Sequence, residues 1–553
     1  MLLAGLVLAV EWPVLACQAD MLDDDTFVQH NPLVRNPEAA SVGRFFTELR
    51  PSTVKGYYIP LTMTSLMIDY ALGGRPGHLQ AFHATNLALH VGFALGLALL
   101  LHLLAVEAWP AVIVAALVAL HPLCVEPLAW ISERKTLLAS FFGVASLAAY
   151  AAYARAGGRP RWRWLALLLY VLSVLSKPTT TPLPLLLIVL DYWPLRRLGV
   201  AALRDKIPFL LVMAVAMVVA YQSHAATAGF MHSGAAVDAP APLLVLHNLG
   251  FYFEKIAAPR GLSPVYLLPQ PFSLANPAVV GRVALVAAVA AAAAYLAWRG
   301  RRALPAGAAF FAAAIFPTLG LVHYSWVVLS DKYTHFPMIG LALPLAAVAA
   351  RAWGASPAHR RALVAAALLS GGVLAGLTRA QLAHWSDTLT LDRRMVAVSP
   401  ESPNANSALG LILGERGELA EALRRQRRAV ELAPTDPDMR LNLGSTLQRA
   451  GELEQAAQEY RALVAANPDN ARAHTNLGSV FYARGEFAAA IHEFREALRV
   501  EPEQLQATIN LGFAYEHSGQ VEAAIAQYRR ALQINPEHRR AREKLATLGA
   551  APR

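Results

Sequence analysis

Cysteine and charged residues are both scarce in this chain of 553 residues. Only two cysteines occur, Cys17 and Cys124, which excludes a disulfide framework and any cysteine-rich zinc site. Charged residues make up 16% of the chain, whereas hydrophobic residues make up 56%. Such a composition is too apolar for a soluble protein of this size, and it indicates several membrane-spanning helices together with a soluble part.

Lysine is also scarce, because only seven of the 48 basic residues are lysine and the others are arginine. This bias, together with alanine-rich helices, is typical of a GC-rich bacterial genome. The net charge of +10 is divided between membrane loops and the C-terminal part, which indicates lipid head groups as its partner. The chain carries no RNA- or DNA-binding signature, so we expect no nucleic-acid partner.

Apolar runs that could span a membrane alternate with short loops between about residue 83 and residue 380. They lie near residues 83–105, 109–123, 136–154, 163–177, 180–195, 207–223, 279–298, 304–322, 334–352 and 361–379. We interpret residues 1–17 as a first transmembrane helix whose beginning is missing. These runs predict about eleven spans, with a first periplasmic loop over residues 18–82. The segment 243–258 contains polar residues, so we expect it to lie in the membrane interface.

Arginines in alternate loops predict the orientation of these spans. The arginine-rich loops all fall on one side, the cytoplasmic one, only if residues 243–258 do not cross the membrane. The acidic residues near the N-terminus and the C-terminal domain then both face the periplasm. The sequence therefore predicts a multi-pass protein of the bacterial inner (cytoplasmic) membrane.

A strict 34-residue repeat occupies the C-terminal part of the chain. Leu-Gly pairs mark its period at Leu409-Gly410, Leu443-Gly444, Leu477-Gly478 and Leu511-Gly512. Gly417, Gly451, Gly485 and Gly519 keep the same spacing, as do Pro434, Pro468, Pro502 and Pro536. This is the tetratricopeptide repeat (TPR) pattern, in which each repeat is a pair of helices.

The fold predicted from these patterns is all-α: a polytopic membrane helix bundle followed by a TPR α-solenoid. We place the transmembrane domain at residues 1–380, and a linker with a leading half-repeat at residues 381–402. Four TPR repeats follow at residues 403–536, and a capping helix with a tail at residues 537–553. The cap is needed to cover the last apolar face of the solenoid.

One asparagine precedes the Leu-Gly pair in each of the last three repeats, at Asn442, Asn476 and Asn510. A row of side-chain amides in a concave groove can bind the backbone of an extended peptide without reading its sequence. The alternative is a solvated helix face. The row resembles the peptide-holding ladder of O-GlcNAc transferase, a different enzyme that uses the same kind of repeat.

Acidic and basic residues gather on the predicted periplasmic edge of the bundle. The acidic ones include Asp23, Asp24 and Asp25 near the N-terminus and Glu126 further along. Five of the seven lysines lie on this side, at Lys55, Lys135, Lys177, Lys255 and Lys332. Because neither the positive-inside rule nor the arginine bias favours lysine there, these cations indicate an anionic ligand at the membrane surface, most simply a phosphate.

Carboxylates and cations around such a cavity suit the transfer of a sugar from a lipid phosphate. Lysine or arginine would hold the phosphate, and a carboxylate would take the proton from an acceptor hydroxyl as its oxygen attacks the anomeric carbon. The donor would be a polyprenyl-phosphate-linked sugar that enters from membrane lipid. We see no dedicated metal site, and whether a divalent metal assists is left open.

Several motifs resemble the GT-C superfamily of polyprenyl-phosphate-sugar glycosyltransferases, in its transmembrane-plus-TPR branch. Asp23-Asp24 with Asn31-Pro32 resembles the acidic motif of the first external loop. The other matching segments are 121–135, Lys177-Pro178, 190–195 and Asp331-Lys332-Tyr333. The branch includes protein O-mannosyltransferases with lumenal repeats, so the resemblance implies transfer to serine or threonine of a protein acceptor held by the TPR domain.

The site residues follow from these arguments. We expect Asp24 or Asp23 to act as the base, with Glu126 as a second acidic group that orients the acceptor or the sugar. Arg134, Lys177 and Lys332 are the candidates for the lipid phosphate.

Each of these assignments has a simpler alternative, in which the residue has no catalytic or phosphate-binding role. Glu126 and Arg134 would only pair with each other, Lys177 would only extend to the membrane surface, and Asp331-Lys332 would only cap a helix.

Two other functions compete with glycosyl transfer. A membrane-anchored scaffold would use the TPR array to assemble an envelope complex, but an anchor needs one or two helices and no polar rim. A transporter would place ionisable residues at mid-bilayer in broken helices, and these are sparse here. We therefore favour the enzyme.

Overall fold

The computed structural model describes residues 1–49, 54, 57–104, 107–225, 240–321 and 328–549. Helices are the regular structure of these residues, and no strand occurs among them, which confirms the predicted all-α class. The chain divides into two compact units, Met1–Val398 and Ser399–Arg553.

The first unit contains nineteen α-helices among its described residues. They are α1 (Leu2–Glu11), α2 (Leu22–Asp24), α3 (Pro32–Arg35), α4 (Ala39–Thr47), α5 (Pro60–Ala71), α6 (Gln80–Leu103), α7 (Ala108–Ala119), α8 (Val125–Ala129), α9 (Arg134–Arg155), α10 (Pro160–Ser176), α11 (Leu183–Tyr192), α12 (Val200–Arg204), α13 (Ile207–Ala225), α14 (Ala241–Ala257), α15 (Pro277–Trp298), α16 (Ala303–Ile315), α17 (Met338–Ala355), α18 (Pro357–Ala383) and α19 (Thr388–Val398).

Five helical segments of the described residues are long and apolar enough to cross a membrane. They are Gln80–Leu103, Ile131–Arg155, Pro277–Trp298, Met338–Ala355 and Pro357–Ala383. A sixth would be the pair Ala108–Ala119 and Pro122–Ala129, which is bent by 60° at its break. These segments are candidates by length and composition.

The count of candidate spans is lower than the eleven predicted, because several apolar runs form short helices. The runs at 163–177, 180–195 and 304–322 give α10, α11 and α16, with 17, 10 and 13 residues. Each α-helical residue adds about 1.5 Å, so the shortest of these covers about half of a hydrocarbon layer of about 30 Å. Prolines at 178, 194 and 317 follow the three helices closely and explain why they stop.

The catalytic and phosphate-binding residues predicted from the sequence lie in or beside short segments between the long helices. Leu22–Asp24 follows the first apolar helix, and the 3₁₀ turn Ile131–Glu133 leads directly into α9. Two more 3₁₀ turns, Pro178–Thr180 and Asp331–Thr334, follow α10 and precede α17. The ends of these helices are therefore where the candidate site is assembled.

The second unit consists of four helix pairs and a final helix. They are α20 (Pro403–Glu415), α21 (Leu419–Leu432), α22 (Pro437–Arg449), α23 (Leu453–Ala466), α24 (Ala471–Ala483), α25 (Phe487–Val500), α26 (Leu505–His517), α27 (Val521–Ile534) and α28 (Arg539–Thr547).

Local sequence explains both the ends and the pairing of these helices. Asn470 caps α24 by accepting a hydrogen bond from the Ala473 amide at 3.0 Å, and Gly485 ends the same helix with φ of +76°. Gly478 packs against the second helix of its pair, since a Cβ there would lie 2.8 Å from the ring of Phe494. The repeating Leu-Gly glycine is therefore a close-packing position between two helices.

Candidate functional site

A buried carboxylate, Glu133, is the centre of the candidate site. Its Oε1 lies 3.1 Å from the Lys332 Nζ and 3.2 Å from the Lys135 Nζ, and its Oε2 lies 3.0 Å from the Lys177 Nζ. Glu133 is fully buried, and the three lysines are buried around it. Three segments distant in sequence thus bring their ammonium groups to one carboxylate.

The three ammonium groups have further partners that fix their positions. Lys177 donates to the Thr136 Oγ1 at 2.7 Å. The Lys332 Nζ lies 3.9 Å from the centre of the Trp130 ring, a cation–π distance. Burial lowers the pKa of Lys332, but Glu133, Tyr333 and Glu126 raise it more strongly, so that its net pKa lies above the ordinary range. Lys332 is therefore a permanent cation at neutral pH.

The three consecutive aspartates have three different environments. Asp24 is 2% exposed, and its two carboxylate oxygens accept hydrogen bonds from the Ser132 amide at 2.8 Å and the Met21 amide at 3.3 Å. The Asp23 side chain is 30% exposed, with Oδ2 3.6 Å from the Lys135 Nζ. Asp25 is exposed and pairs with His30 at 2.5 Å. Asp23 is therefore the most accessible carboxylate at the lysine cluster.

Burial is the main reason that the pKa of Asp24 is raised to about 8, and the nearby Asp20 raises it further. Its bonds from the Ser132 and Met21 amides lower the pKa, but by less. A substantial fraction of Asp24 is thus protonated at neutral pH. This state favours a positioning role for Asp24 over that of a base.

Glu126 lies beside the cluster and holds the segment that carries Lys332. Its Oε1 accepts a hydrogen bond from the Ser330 Oγ at 2.5 Å, and its Oε2 accepts one from the Lys332 amide at 3.1 Å. The Lys332 Nζ is 3.9 Å from the same carboxylate. Asp331 points elsewhere: it accepts a hydrogen bond from the Tyr266 hydroxyl at 2.7 Å, and burial followed by the charge of Glu126 raises its pKa well above the usual range.

Arg134 is fully buried and is directed to a different set of groups. Its Nη2 lies 2.6 Å from the Asp69 Oδ2, its Nη1 donates to the Ser65 Oγ at 2.7 Å, and its Nε donates to Asn86. Arg134 does not pair with Glu126, so the simple pair considered from the sequence does not form. These bonds tie α9 to α5 and α6, and they give Arg134 a structural role in this state of the protein.

Two cavities adjoin the lysine cluster. A narrow cleft of about 20 Å³ is lined by Lys177, Lys332, Tyr333 and small polar residues such as Thr136 and Thr180. A larger apolar groove of about 360 Å³ has walls from α10 and α13 and is bordered by Tyr57, Tyr58 and Pro178. Lys177 lines the polar cleft and the next residue, Pro178, lines the apolar groove. A charged region and an apolar region thus meet at one turn of the chain.

The remaining residues singled out from the sequence are dispersed. Asp191, in the 190–195 motif, is buried and pairs with Lys206, and it accepts a hydrogen bond from the Tyr150 hydroxyl at 2.8 Å. Lys255 donates to the Arg260 carbonyl at 2.7 Å. Lys55 lies outside the described residues.

The three asparagines of the second unit are half-buried and make contacts within the repeats. Asn442 Nδ2 donates to the Ser407 Oγ at 2.9 Å, and Asn510 Nδ2 donates to the Ser479 Oγ at 3.1 Å. At Asn442 and Asn510 a peptide would therefore meet amides that already have a protein partner, and the peptide-binding role of the three asparagines stays a prediction.

Six catalytic and phosphate-binding residues were predicted from the sequence, and five of them adjoin Glu133 or the segments that hold it: Asp23, Asp24, Glu126, Lys177 and Lys332. Glu133 itself lies in the 121–135 motif, but no role was predicted for it. The signal that could have found it is its position beside Arg134 and Lys135 at the start of an apolar run, since a carboxylate buried with such a helix needs a cationic partner.

Comparison with known proteins identifies the repeats of the second unit. A family model described as tetratricopeptide repeat matches residues 441–494 and 477–539. No curated protein matches the chain.

Solved structures with TPR folds resemble about a third of the chain. TTC0263, a thermophilic TPR protein in Thermus thermophilus, is 25% identical; the match covers 33% of this chain and 96% of that one, with a TM-score of 0.27. MamA from Desulfovibrio magneticus RS-1 is 19% identical, with 28% and 86% covered and a TM-score of 0.25. YrrB, a TPR protein with an unusual peptide-binding site, is 19% identical, with 28% and 80% covered and a TM-score of 0.25.

The family match agrees with the helix pairs α22/α23, α24/α25 and α26/α27 and with the 34-residue spacing of their glycines. Residues 441–539 of this chain are therefore tetratricopeptide repeats.

Proposed function

We propose that the protein is a membrane glycosyltransferase that moves a sugar from a polyprenyl-phosphate carrier to a hydroxyl group of a protein acceptor. The single observation that carries the proposal is the cluster of Lys135, Lys177 and Lys332 around Glu133, with Asp23 at its edge. Buried cations beside an accessible carboxylate are what such a transfer requires.

The lysines supply the phosphate site. Lys177 and Lys332 line the polar cleft, and together with Lys135 they surround the carboxylate of Glu133. An entering phosphate adds the negative charge that three ammonium groups can accommodate. Because the same ammonium groups face the phosphate as it leaves, they would stabilise the charge that develops on the departing lipid phosphate.

The apolar groove is suited to the lipid part of the donor. Its walls on α10 and α13 are aliphatic, and it begins at Pro178, beside the cation of Lys177. A polyprenyl phosphate has the same order, with an anionic head directly joined to an apolar chain. We therefore assign the phosphate head group of the donor to the cleft and its polyprenyl chain to the groove.

Asp23 is the group we assign as the base. It takes the proton from the acceptor hydroxyl while the oxygen forms a bond to the anomeric carbon. The bond from that carbon to the phosphate oxygen breaks, and the lipid phosphate leaves with the electron pair. Asp24, held by the Ser132 amide, positions the segment that carries Asp23, and Glu126 positions Lys332.

The TPR unit supplies a surface for the protein acceptor, since arrays of such helix pairs present a concave groove to a peptide. We place the protein in the bacterial cytoplasmic membrane, with the repeats on the outer side. This placement rests on the arginine-rich loops and on the candidate spans.

O-glycan profiling of envelope proteins tests the proposal. A strain that lacks the gene is complemented with the wild type, Asp23→Asn, Asp24→Asn or Asp25→Asn. Loss of a base typically costs about 10²- to 10⁴-fold in rate. We expect a glycan that disappears in the deletion strain and in Asp23→Asn, but persists in Asp25→Asn, whose side chain is exposed and paired only with His30.

An Asp23→Asn variant that reaches the membrane and restores every glycan would refute glycosyl transfer by this site. If the deletion changes no glycan at all, the enzyme assignment also fails.

A membrane-anchored scaffold is the second candidate, and the TPR match is the observation that favours it. A scaffold needs the repeats but not Asp23. A deletion phenotype that Asp23→Asn rescues fully, and that a chain ending at Val398 does not rescue, would support the scaffold.

A further inference from the structure

Two histidines, a cysteine and a glutamate form a second buried polar cluster, inside the first unit. Glu11 ends α1, His90 lies in the middle of α6, Cys124 follows the break after α7, and His335 precedes α17. All four side chains are fully buried among apolar helices. None of them takes part in the lysine cluster described above.

The ring nitrogens of the two histidines face each other. His90 Nδ1 lies 3.1 Å from His335 Nε2. The other nitrogen of His90, Nε2, lies 3.1 Å from the Ala119 carbonyl oxygen and 3.4 Å from the Glu11 Oε2. The Ala119 carbonyl oxygen can only accept a hydrogen bond, so Nε2 carries the hydrogen and Nδ1 presents a lone pair toward His335.

Cys124 completes the group. One ligand atom from each of His90, Cys124 and His335 lies within 4.8 Å of the other two. The Cys124 Sγ is 3.5 Å from the Val118 carbonyl oxygen, a weak contact for a thiol. Two imidazoles and a sulfur at this separation match the ligand set of zinc and of other borderline metals.

Several atoms of the cluster lack a hydrogen-bond partner among the described residues. They are both carboxylate oxygens of Glu11 and Nδ1 of His335. A buried polar group without a partner is costly, and a buried charge is more so. A cation bound in this cluster would compensate the buried charge of Glu11.

We propose that His90, Cys124 and His335 bind one Zn²⁺ ion. Glu11 is not a ligand, and its carboxylate balances part of the metal's charge from its position beside His90. The Cys124 thiolate and the Glu11 carboxylate together balance the two positive charges of the metal, so the site becomes neutral within an apolar bundle. The Ala119 carbonyl oxygen accepts the hydrogen of His90 Nε2, and the Glu11 Oε2 lies 3.4 Å from the same nitrogen, which directs Nδ1 to the metal. The ion would join α6, α17 and the break after α7.

Metal analysis of the full chain, purified in detergent without an affinity tag, tests the proposal. We expect about one zinc per chain in the wild type after desalting. Cys124→Ser and His335→Asn should lower this by about tenfold or more, as the loss of a ligand weakens the site. Removal of zinc with a chelator should lower the unfolding temperature of the wild type.

Two matched controls separate ligand loss from general damage. Cys17→Ser removes the other buried cysteine, and His83→Gln changes another buried histidine of α6; both should keep zinc. Exchange of zinc for Co²⁺ gives a measurement on the wild type alone, since a cobalt–thiolate bond produces a charge-transfer absorption.

A wild type that holds no zinc after zinc addition and shows no cobalt–thiolate absorption would overturn the proposal. Retention of zinc by Cys124→Ser would overturn the ligand assignment. Another metal in the same site, lost in the same variants, would overturn the choice of zinc.

Discussion

Glu133 is the residue on which the lysine cluster depends. It is fully buried and lies within 3.2 Å of the ammonium groups of Lys135, Lys177 and Lys332. Each buried cation loses its hydration and is stabilised mainly through this shared carboxylate. The carboxylate therefore has to be present for the lysines to be held at the cleft.

Glu133→Gln should destabilise the first unit by about 3–5 kcal/mol, the usual cost of breaking a buried ion pair. Thermal unfolding in detergent measures the change. Asp25→Asn is the control, because this exposed residue should alter stability by less than about 0.5 kcal/mol. Equal stability of Glu133→Gln and the wild type would contradict the central role of Glu133.

Asp24 predicts a dependence of stability on pH. Its pKa is raised from 3.8 to about 8 in the folded protein. Between these values the folded chain holds a proton that the unfolded chain has released, so stability falls as pH rises through this window. Asp24→Asn cannot titrate and should lose this contribution.

The measurement is the unfolding temperature in detergent from about pH 5 to about pH 8. We expect the wild type to lose more stability over this range than Asp24→Asn. The neighbouring Asp20 titrates in both proteins, since burial raises its pKa as well, so the difference between the two curves reports Asp24. Parallel curves would show that Asp24 has an ordinary pKa.

At the scale of elements, the Leu-Gly glycines determine how closely each TPR helix pair packs. A Cβ at Gly478 would lie 2.8 Å from the Phe494 ring, and one at Gly444 would lie 2.6 Å from the Tyr460 ring. The repeat places an aromatic ring of the second helix directly on the glycine of the first. Glycine is required at this position because a larger side chain would collide with the ring, and not because the backbone adopts a positive φ.

Gly478→Ala should destabilise the second unit by about 1–3 kcal/mol, the typical cost of overpacking. Hydrogen exchange of the amides of α24 and α25 in the full chain measures this effect. Gly376→Ala in α18 is a control with the opposite sign, because no atom lies within 4 Å of the added Cβ and alanine favours a helix by up to about 1 kcal/mol. Faster exchange in both variants would contradict the packing argument.

Elements of the first unit are joined by buried ion pairs that the sequence did not reveal. Arg134 at the start of α9 pairs with Asp69 of α5, and Asp191 of α11 pairs with Lys206 near the start of α13. The partners of the first pair are 65 residues apart. Sequence patterns report local periodicity and carry little information on which distant charges meet.

At the scale of the whole molecule, the two units have separate cores. The apolar core of the second unit is formed by its own residues, among them Leu443, Tyr460 and Phe494. Short-range contacts between neighbouring repeats dominate such arrays, so a repeat domain does not need the rest of the chain in order to fold.

A fragment of residues 399–553 should therefore be soluble, helical by circular dichroism and cooperative in thermal unfolding. A fragment that starts at residue 437 lacks the first helix pair, exposes an apolar face of α22 and should unfold at a lower temperature. Aggregation of the longer fragment, or equal stability of the two, would contradict an independent second unit.

The sequence by itself determined the helical class and the TPR array, and it predicted several polar residues of the candidate site but not Glu133 at its centre. Helical periodicity, turn glycines and the 34-residue repeat are patterns along the chain, so they are visible in the sequence without knowledge of the tertiary structure. Only the tertiary structure decided that apolar runs broken by proline form short helices, that Glu133 gathers three lysines, and that Asp23 is accessible while Asp24 is buried. It also brought Glu11, His90, Cys124 and His335 together. Burial and long-range pairing depend on how distant segments pack, and this packing is absent from any local pattern.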